Sequence, residues 1–298
     1  MNKLGLHANV WVGSWSEAEA RLAISRTAEL GFDVLEMPAL DPAIFDIALT
    51  RRLLDEAGLA SVLSLGLDAG TDISSGDPEK MRAGEARLLD VVSVARDIGA
   101  HHISGILYSA FQKYMVPPTR RGIEGAAEVI ARVGEKAAAS NITLGMEVVN
   151  RYETNVLNTA AQAIEFCRMV DRPNVKVHLD VYHMNIEETD SVAAIEMTGD
   201  MLGYFHTGDS HRGYLGTGSI DLPAIFKALV RTGYEGTITF ESFSSKVVGD
   251  PLTGILGIWR NTWDDSDDLV RHAMEYTRSQ LKSARESLRT SALMPGQD

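Results

Sequence analysis

The sequence predicts a single (β/α)8 TIM barrel of the α/β class carrying an additional C-terminal helix, with residues 1–290 as one domain and 291–298 as a flexible tail. Three observations predict it. Eight short β-branched or apolar runs alternate with longer amphipathic stretches from one end of the 298-residue chain to the other. Helical stretches stop at a glycine that leads straight into a strand, as in Gly31-Phe32-Asp33 and Gly233-Tyr234-Glu235. No Pro/Ser/Gly-rich linker divides the chain into two domains. A doubly wound sheet is the competing architecture, but the Gly-x-Gly-x-x-Gly turn it would carry after its first strand is missing.

In chain order, the first strand is read at 3–8, and the 16–30 stretch after it has apolar residues three or four apart, the period of an amphipathic helix. Gly31 ends that helix and the second strand follows at 33–37; Gly58 marks a second stop before a third strand at 61–65. Helix 78–98 runs into Gly99 and strand 102–106, and helix 123–139 into strand 143–149. Helix 160–170 precedes strand 175–180, a seventh strand is read at 203–207, and helix 222–232 stops at Gly233 before strand 237–241. The 264–289 segment reads as the extra helix. Asp264, Asp265, Asp267 and Asp268 stand at its start and Lys282, Arg285 and Arg289 near its end, the order that complements a helix dipole.

Composition narrows the partners. Lys+Arg 28 against Asp+Glu 41 leaves a net charge of −13, which repels a phosphate backbone or an anionic membrane surface, so neither nucleic acid nor membrane is expected. Hydrophobic content of 45% with 23% charged residues excludes a disordered or fibrous chain. Cys167 is the single cysteine, so no intrachain disulfide can form, and with no secretory leader or bilayer-length apolar run the expected compartment is the cytoplasm.

Four polar residues interrupt strands that should read apolar: Glu147 within Gly145-Met-Glu-Val-Val149, Asp180 ending Val177-His-Leu-Asp, His206 ending Tyr204-Phe-His, and Glu241 ending Ile238-Thr-Phe-Glu. Their separations of 33, 26 and 35 residues are each close to one βα unit, which puts them at equivalent positions on the last four strands, where barrel enzymes carry their chemistry. Three converging carboxylates repel one another unless a cation neutralises them, and three oxygens with one nitrogen suit Mn²⁺, Mg²⁺ or Co²⁺. The loops beyond the strands add Glu153, His183, Glu187, Glu188 and Arg212, placed where substrate contacts belong, while Asp209 and His211 read as supporting or surface groups. The Gly213-to-Gly218 segment lacks the Lys-Ser/Thr of a phosphate loop.

The segments Glu147-Val-Val-Asn-Arg-Tyr-Glu153, Leu179-Asp-Val-Tyr-His-Met-Asn-Ile-Glu-Glu188, His206 to Gly218, and Phe240-Glu241 with Gly257-Ile-Trp-Arg260 resemble the ketose 3-epimerases, the group acting on D-tagatose, D-psicose (D-allulose) and L-ribulose. The resemblance implies a xylose-isomerase-like barrel with one Mn²⁺, Co²⁺ or Mg²⁺ held by Glu147, Asp180, His206 and Glu241, with Glu147 and Glu241 as the acid/base pair. It further implies that Glu153, His183 and Arg212 hold the O1 to O3 end of a free ketose and that Ser64, Trp15 and Phe111 form pocket wall. Tagatose-epimerase-type members carry an aromatic residue at the position of His7, a cysteine at Ser64 and a tryptophan at Phe111, so the departures lie in that wall. A homodimer or homotetramer is expected, partly from the family and partly from surplus apolar residues in the 111–118 loop. The rival chemistries are a 1,2 aldose-ketose isomerase on the same barrel, an endonuclease-IV-like metal barrel, which the acidic charge disfavours, and a non-catalytic sugar-binding barrel, which the retained carboxylates disfavour.

Overall fold

The computed structural model describes residues 2–38 and 45–293. In chain order the elements are β1 (Leu4–His7), α1 (Glu17–Glu29), β2 (Val34–Pro38), α2 (Ile47–Ala57), β3 (Ala60–Leu67), α3 (Pro78–Ile98), β4 (His102–Ala110), α4 (Arg120–Ala138), β5 (Thr143–Val148) and α5 (Ala160–Val170). They continue through β6 (Val175–Asp180), α6 (Val181–Glu187), α7 (Ser191–Thr198), β7 (Leu202–Thr207), α8 (Leu222–Arg231), β8 (Ile238–Phe240), α9 (Ser245–Val248), α10 (Leu252–Ile255) and α11 (Ser266–Leu293). The eight strands are parallel and close on themselves in the order β1 to β8, with Leu4, Gly5 and Leu6 paired to Ile238, Thr239 and Phe240 at the seam. This is the TIM barrel followed by a C-terminal helix.

Alternation along the strands sorts the side chains into two layers. Leu6, Leu35, Leu63, Ile103, Met146, Leu179, Phe205 and Phe240 are buried in the main core, which includes Ala23, Ile24, Leu88, Val91, Ile130, Phe166 and Phe226 of the surrounding helices. The intervening residues face the barrel axis and are polar to an unusual degree: Glu36, Ser104, His178, Asp180, Tyr204, His206 and Thr239 are all buried. Gly5 makes room there, because a Cβ on it would stand 2.2 Å from Thr239 Oγ1.

Helix signals act as the sequence suggests. Ser16 and Glu19 form a reciprocal capping box at the start of α1, and Gly58 and Gly99 close α2 and α3 in left-handed conformations. Three differences from the sequence reading have physical reasons. β4 runs to Ala110 rather than 106, because Gly105 adopts φ +114 beside a register shift in the β3–β4 ladder, and the kink lets the strand continue. Short helices α6, α7, α9 and α10 are too brief to carry a helical period. α11 continues to Leu293, past the expected boundary at 290, and residues 294–298 of the expected tail lie outside the described residues.

Candidate active site

A cavity of about 240 Å³ opens at the C-terminal ends of the strands, a size for a small molecule. Glu147, Glu153, His183, His206, Arg212 and Glu241 line it, as do Ser64 and Phe111. Asp180 lies beneath, almost wholly buried. The residues expected as metal ligands, acid/base pair and substrate contacts are thus brought together except for Trp15. Of the further loop residues, Glu187 pairs with Arg151 and Glu188 accepts from the Ala160 N–H at 2.7 Å, both away from the cavity lining. Trp15 is not among the described residues lining the cavity; its ring stacks on Phe45 at 6.1 Å and its Nε1 donates to Thr50 Oγ1 at 3.1 Å, which holds it in the core. The 111–118 loop divides, Phe111 on the cavity and Met115 and Val116 exposed to solvent.

Each side chain at the centre is held by a specific local feature. Asp180 ends β6 and caps α6, so its Oδ1 accepts from the Tyr182 N–H at 2.6 Å and its Oδ2 is left facing the axis. His206 Nε2 donates to Glu36 Oε2 at 2.7 Å, which turns Nδ1 toward Glu241 Oε1 at 3.5 Å, Asp180 Oδ2 at 3.7 Å and Glu147 Oε1 at 3.8 Å. His183 Nδ1 accepts from the Asn150 backbone N–H at 3.2 Å, so its proton sits on Nε2, 3.9 Å from carboxylate oxygens of Glu147, Glu153 and Asp180. In that tautomer the 3.3 Å approach of Arg212 Nη2 to His183 Nε2 is a packing contact. The Arg212 guanidinium pairs with Glu241 and lies between the Tyr182 and Phe243 rings, 3.9 and 4.9 Å from their centroids. Arg212 has φ +57, a costly conformation for a side-chain-bearing residue that the Asp209-ordered loop imposes; the Arg212 N–H donates to the Asp209 carbonyl at 2.9 Å.

The electrostatics follow from crowding three carboxylates into a dry space. Burial pushes the Glu147 carboxyl well above its ordinary pKa, and Glu241, Asp180 and Glu36 add to the rise against the opposing His206. Burial acts the same way on Asp180, but His183, His206 and Arg212 outweigh it and hold that carboxylate well below its usual range. Burial opposes charge on His206, and the field of Glu36, Glu241 and Asp180 overcomes it and pushes the imidazole up.

These residues could hold a metal ion. Asp180, His206 and Glu241 offer ligand atoms within 4.8 Å of one another, as do Glu147, Asp180 and His183. Asp180 Oδ2 and His206 Nδ1 are buried without a hydrogen-bond partner and face the same centre, an arrangement a divalent cation satisfies. His183 fits the set less well, since its proton lies on the nitrogen turned inward, and His178 Nδ1, within ligand range of Glu147 and His206, is bonded to Ser104 Oγ.

Residues 24–280 match the family model of the xylose isomerase-like TIM barrel. A ketose 3-epimerase of Arthrobacter globiformis is 47% identical over 94% of this chain and 96% of its own. The chain belongs to the ketose 3-epimerases. As such it is an isomerase-class enzyme, and solved structures agree. That of an L-ribulose 3-epimerase superposes with a TM-score of 0.95 at 39% identity, covering 100% of this chain and 99% of the other. That of the Methylomonas sp. D-allulose 3-epimerase in complex with D-allulose gives 0.91 at 44%, covering 94% and 97%.

The residues that sequence reasoning passed over in this epimerase lie below and beside the centre. Glu36 is fully buried; besides His206 it accepts from the Tyr204 hydroxyl at 2.9 Å, and Tyr204 also meets Thr239 Oγ1. Burial would raise the Glu36 carboxyl, yet His206, His7 and His178 together hold it well below its normal pKa. The signal was present, a carboxylate inside the apolar run Val34-Leu-Glu-Met-Pro38. Glu36 fixes the tautomer of His206, and carboxylates behind a ligating histidine typically matter to metal affinity by 10- to 100-fold. Glu36→Gln is therefore expected to weaken Mn²⁺ binding by about 10- to 100-fold in calorimetric titration; unchanged affinity would show that His206 does not depend on Glu36.

Proposed function

We propose that this enzyme interconverts free, unphosphorylated ketoses at C3, with Glu147 and Glu241 exchanging the proton and a divalent metal, Mn²⁺ first and Co²⁺ or Mg²⁺ next, held by Glu147, Asp180, His206 and Glu241. The observation that carries the reading is the pair of inward glutamates from β5 and β8, both on the cavity and both within 4 Å of His206 Nδ1. A bound divalent cation would act as a Lewis acid on the ketose oxygens and make the hydrogen at C3 more acidic.

The chain's own residues supply the rest. C3 lies next to the C2 carbonyl, so loss of its proton to one glutamate leaves an enediolate whose negative charge spreads onto oxygen. A proton delivered from the other glutamate to the opposite face of C3 restores the carbonyl with inverted configuration, and no other reactant is consumed. The raised proton affinity that burial gives Glu147 suits a carboxyl that must accept and return a proton. Arg212 and the Nε2–H of His183 donate to substrate oxygens at the O1 to O3 end, and the Glu153 carboxylate, bonded to Asn150 Nδ2 at 2.8 Å, accepts from a hydroxyl there. Phe111, Leu65, Ile106 and Phe243 keep water from the reacting carbon. Arg212 is surrounded by Asp180, Glu153 and Glu241, a field that repels a phosphate and favours a neutral sugar. The exposed Met115 and Val116 support an assembly of two or four copies.

Incubating Mn²⁺-loaded enzyme with D-allulose, D-tagatose and L-ribulose and separating the products tests the reading. The expected products are the C3 epimers D-fructose, D-sorbose and L-xylulose. An aldose product would overturn it in favour of 1,2-isomerisation on the same residues.

A further inference from the structure

Asp209 follows β7, is wholly buried, and is not among the described residues lining the cavity. A buried carboxylate is costly unless its oxygens are hydrogen-bonded, and here each oxygen has its own donor. Oδ1 accepts from the Ser210 N–H at 2.7 Å and Oδ2 from the Gly216 N–H at 2.8 Å. One side chain thereby joins the two ends of the turn that contains Arg212. The Asp209 main chain acts on the same residue, its carbonyl taking the Arg212 N–H at 2.9 Å. Gly218 leaves the carboxylate its place, since a Cβ there would stand 1.8 Å from Asp209 Oδ1.

Arg212 needs this hold. Its φ of +57 lies in the left-handed region, which a side-chain-bearing residue enters at a cost, and an unrestrained loop relaxes out of it. The Arg212 carbonyl is tied as well: the Ser242 hydroxyl donates to it, and Thr262 Oγ1 lies 3.4 Å away. Helix α11 fixes the outer side of the loop. There the Tyr214 hydroxyl donates to Asp268 Oδ2 at 2.6 Å, His272 Nε2 donates to the Leu215 carbonyl at 2.8 Å, and the Tyr276 ring lies against Gly216. With its backbone held on both sides, Arg212 projects its guanidinium between the Tyr182 and Phe243 rings and onto the cavity.

We infer that Asp209 is a positioning residue for Arg212: its buried carboxylate locks the 209–216 turn in the conformation that delivers the guanidinium to the substrate oxygens. The inference rests on the proposed role of Arg212 in holding the sugar and deepens it. A misplacement of about 1 Å that originates away from the reacting atoms is enough to cost about 10²-fold, so a residue that never meets the sugar can govern its turnover.

The test is a double-mutant cycle on the Mn²⁺-loaded enzyme, reading kcat/KM on D-allulose and, separately, D-allulose binding by calorimetry. Asp209→Asn leaves one acceptor oxygen where two are needed and turns an amide NH₂ toward a backbone N–H. It is expected to lower both quantities by about 10- to 100-fold, approaching the loss in Arg212→Gly. Gly218→Ala displaces the carboxylate without altering it; it is expected to act in the same direction and carries the test if Asp209→Asn does not fold. Glycine at 212 adopts the left-handed conformation freely and has no guanidinium to aim, so in the Arg212→Gly background either change is expected to cost less than about 2-fold more. Millimolar guanidinium chloride, supplying the missing group from solution, is expected to restore Arg212→Gly and its combination with Asp209→Asn to the same extent. Two results overturn the inference: Asp209→Asn and Gly218→Ala both within about 2-fold of the wild type, or losses that persist undiminished once Arg212 is gone, which would make Asp209 a support of the fold at large. If the epimerase reading fails, no C3 epimer forms while the calorimetric cycle still reads the coupling, so the two failures are told apart.

Discussion

Glu147→Gln and Glu241→Gln are each expected to lower turnover at C3 by at least about 10²- to 10⁴-fold, the range that loss of a general acid or base alone commands. The carboxamide matches the carboxylate in shape and retains an oxygen for a metal, so the loss falls on proton transfer before it falls on architecture. In the proposed mechanism the two residues act as a unit, one removing and one returning the same kind of proton, so the double variant is expected to fall little below the worse single variant rather than to the product of the two losses. Steady-state rates on D-allulose with metal content measured on the same samples check this. A single variant that keeps more than a tenth of wild-type turnover with full metal occupancy would remove that glutamate from the proton path.

Metal removal has the second large effect. Chelation is expected to abolish turnover, and Mn²⁺ or Co²⁺ to restore it, because the crowded carboxylates of Glu147, Asp180 and Glu241 cannot arrange substrate oxygens while they repel one another. Affinity for the metal is expected to weaken as pH falls. Burial raises the proton affinity of Glu147, and its carboxyl must release that proton to bind a cation, so acid competes with the metal and alkali does not. Titrations with Mn²⁺ at several pH values read the sign directly. Full turnover in a rigorously metal-free preparation would contradict the proposed metal site.

The barrel was legible because its evidence is repeated: eight strands, glycine stops and helical periods all agree, and no single element had to be right. Glu147, Asp180, His206 and Glu241 were legible for the same reason, each breaking an apolar strand at the same point of a βα unit. Glu36 breaks β2 in the same manner but was missed, since a strand pattern tells which face a side chain takes and not the depth at which barrel shear sets it. In the folded chain that depth is directly behind His206. His7 was legible as a position of the pocket wall but not in its tautomer, which only the Asn9 N–H fixes. Trp15 shows the converse: the family resemblance suggested pocket wall, whereas Thr50 and Phe45, distant in sequence, draw its ring into the core.

The central claim is that the proton leaves and returns at C3, and exchange with solvent tests it most directly. In D₂O, with Mn²⁺-loaded enzyme and D-allulose, the product analysed by proton NMR is expected to be D-fructose carrying deuterium at C3, with both C1 hydrogens unlabelled. Deuterium at C1, or label at C2 of an aldose product, would place the reacting carbon elsewhere and contradict the account.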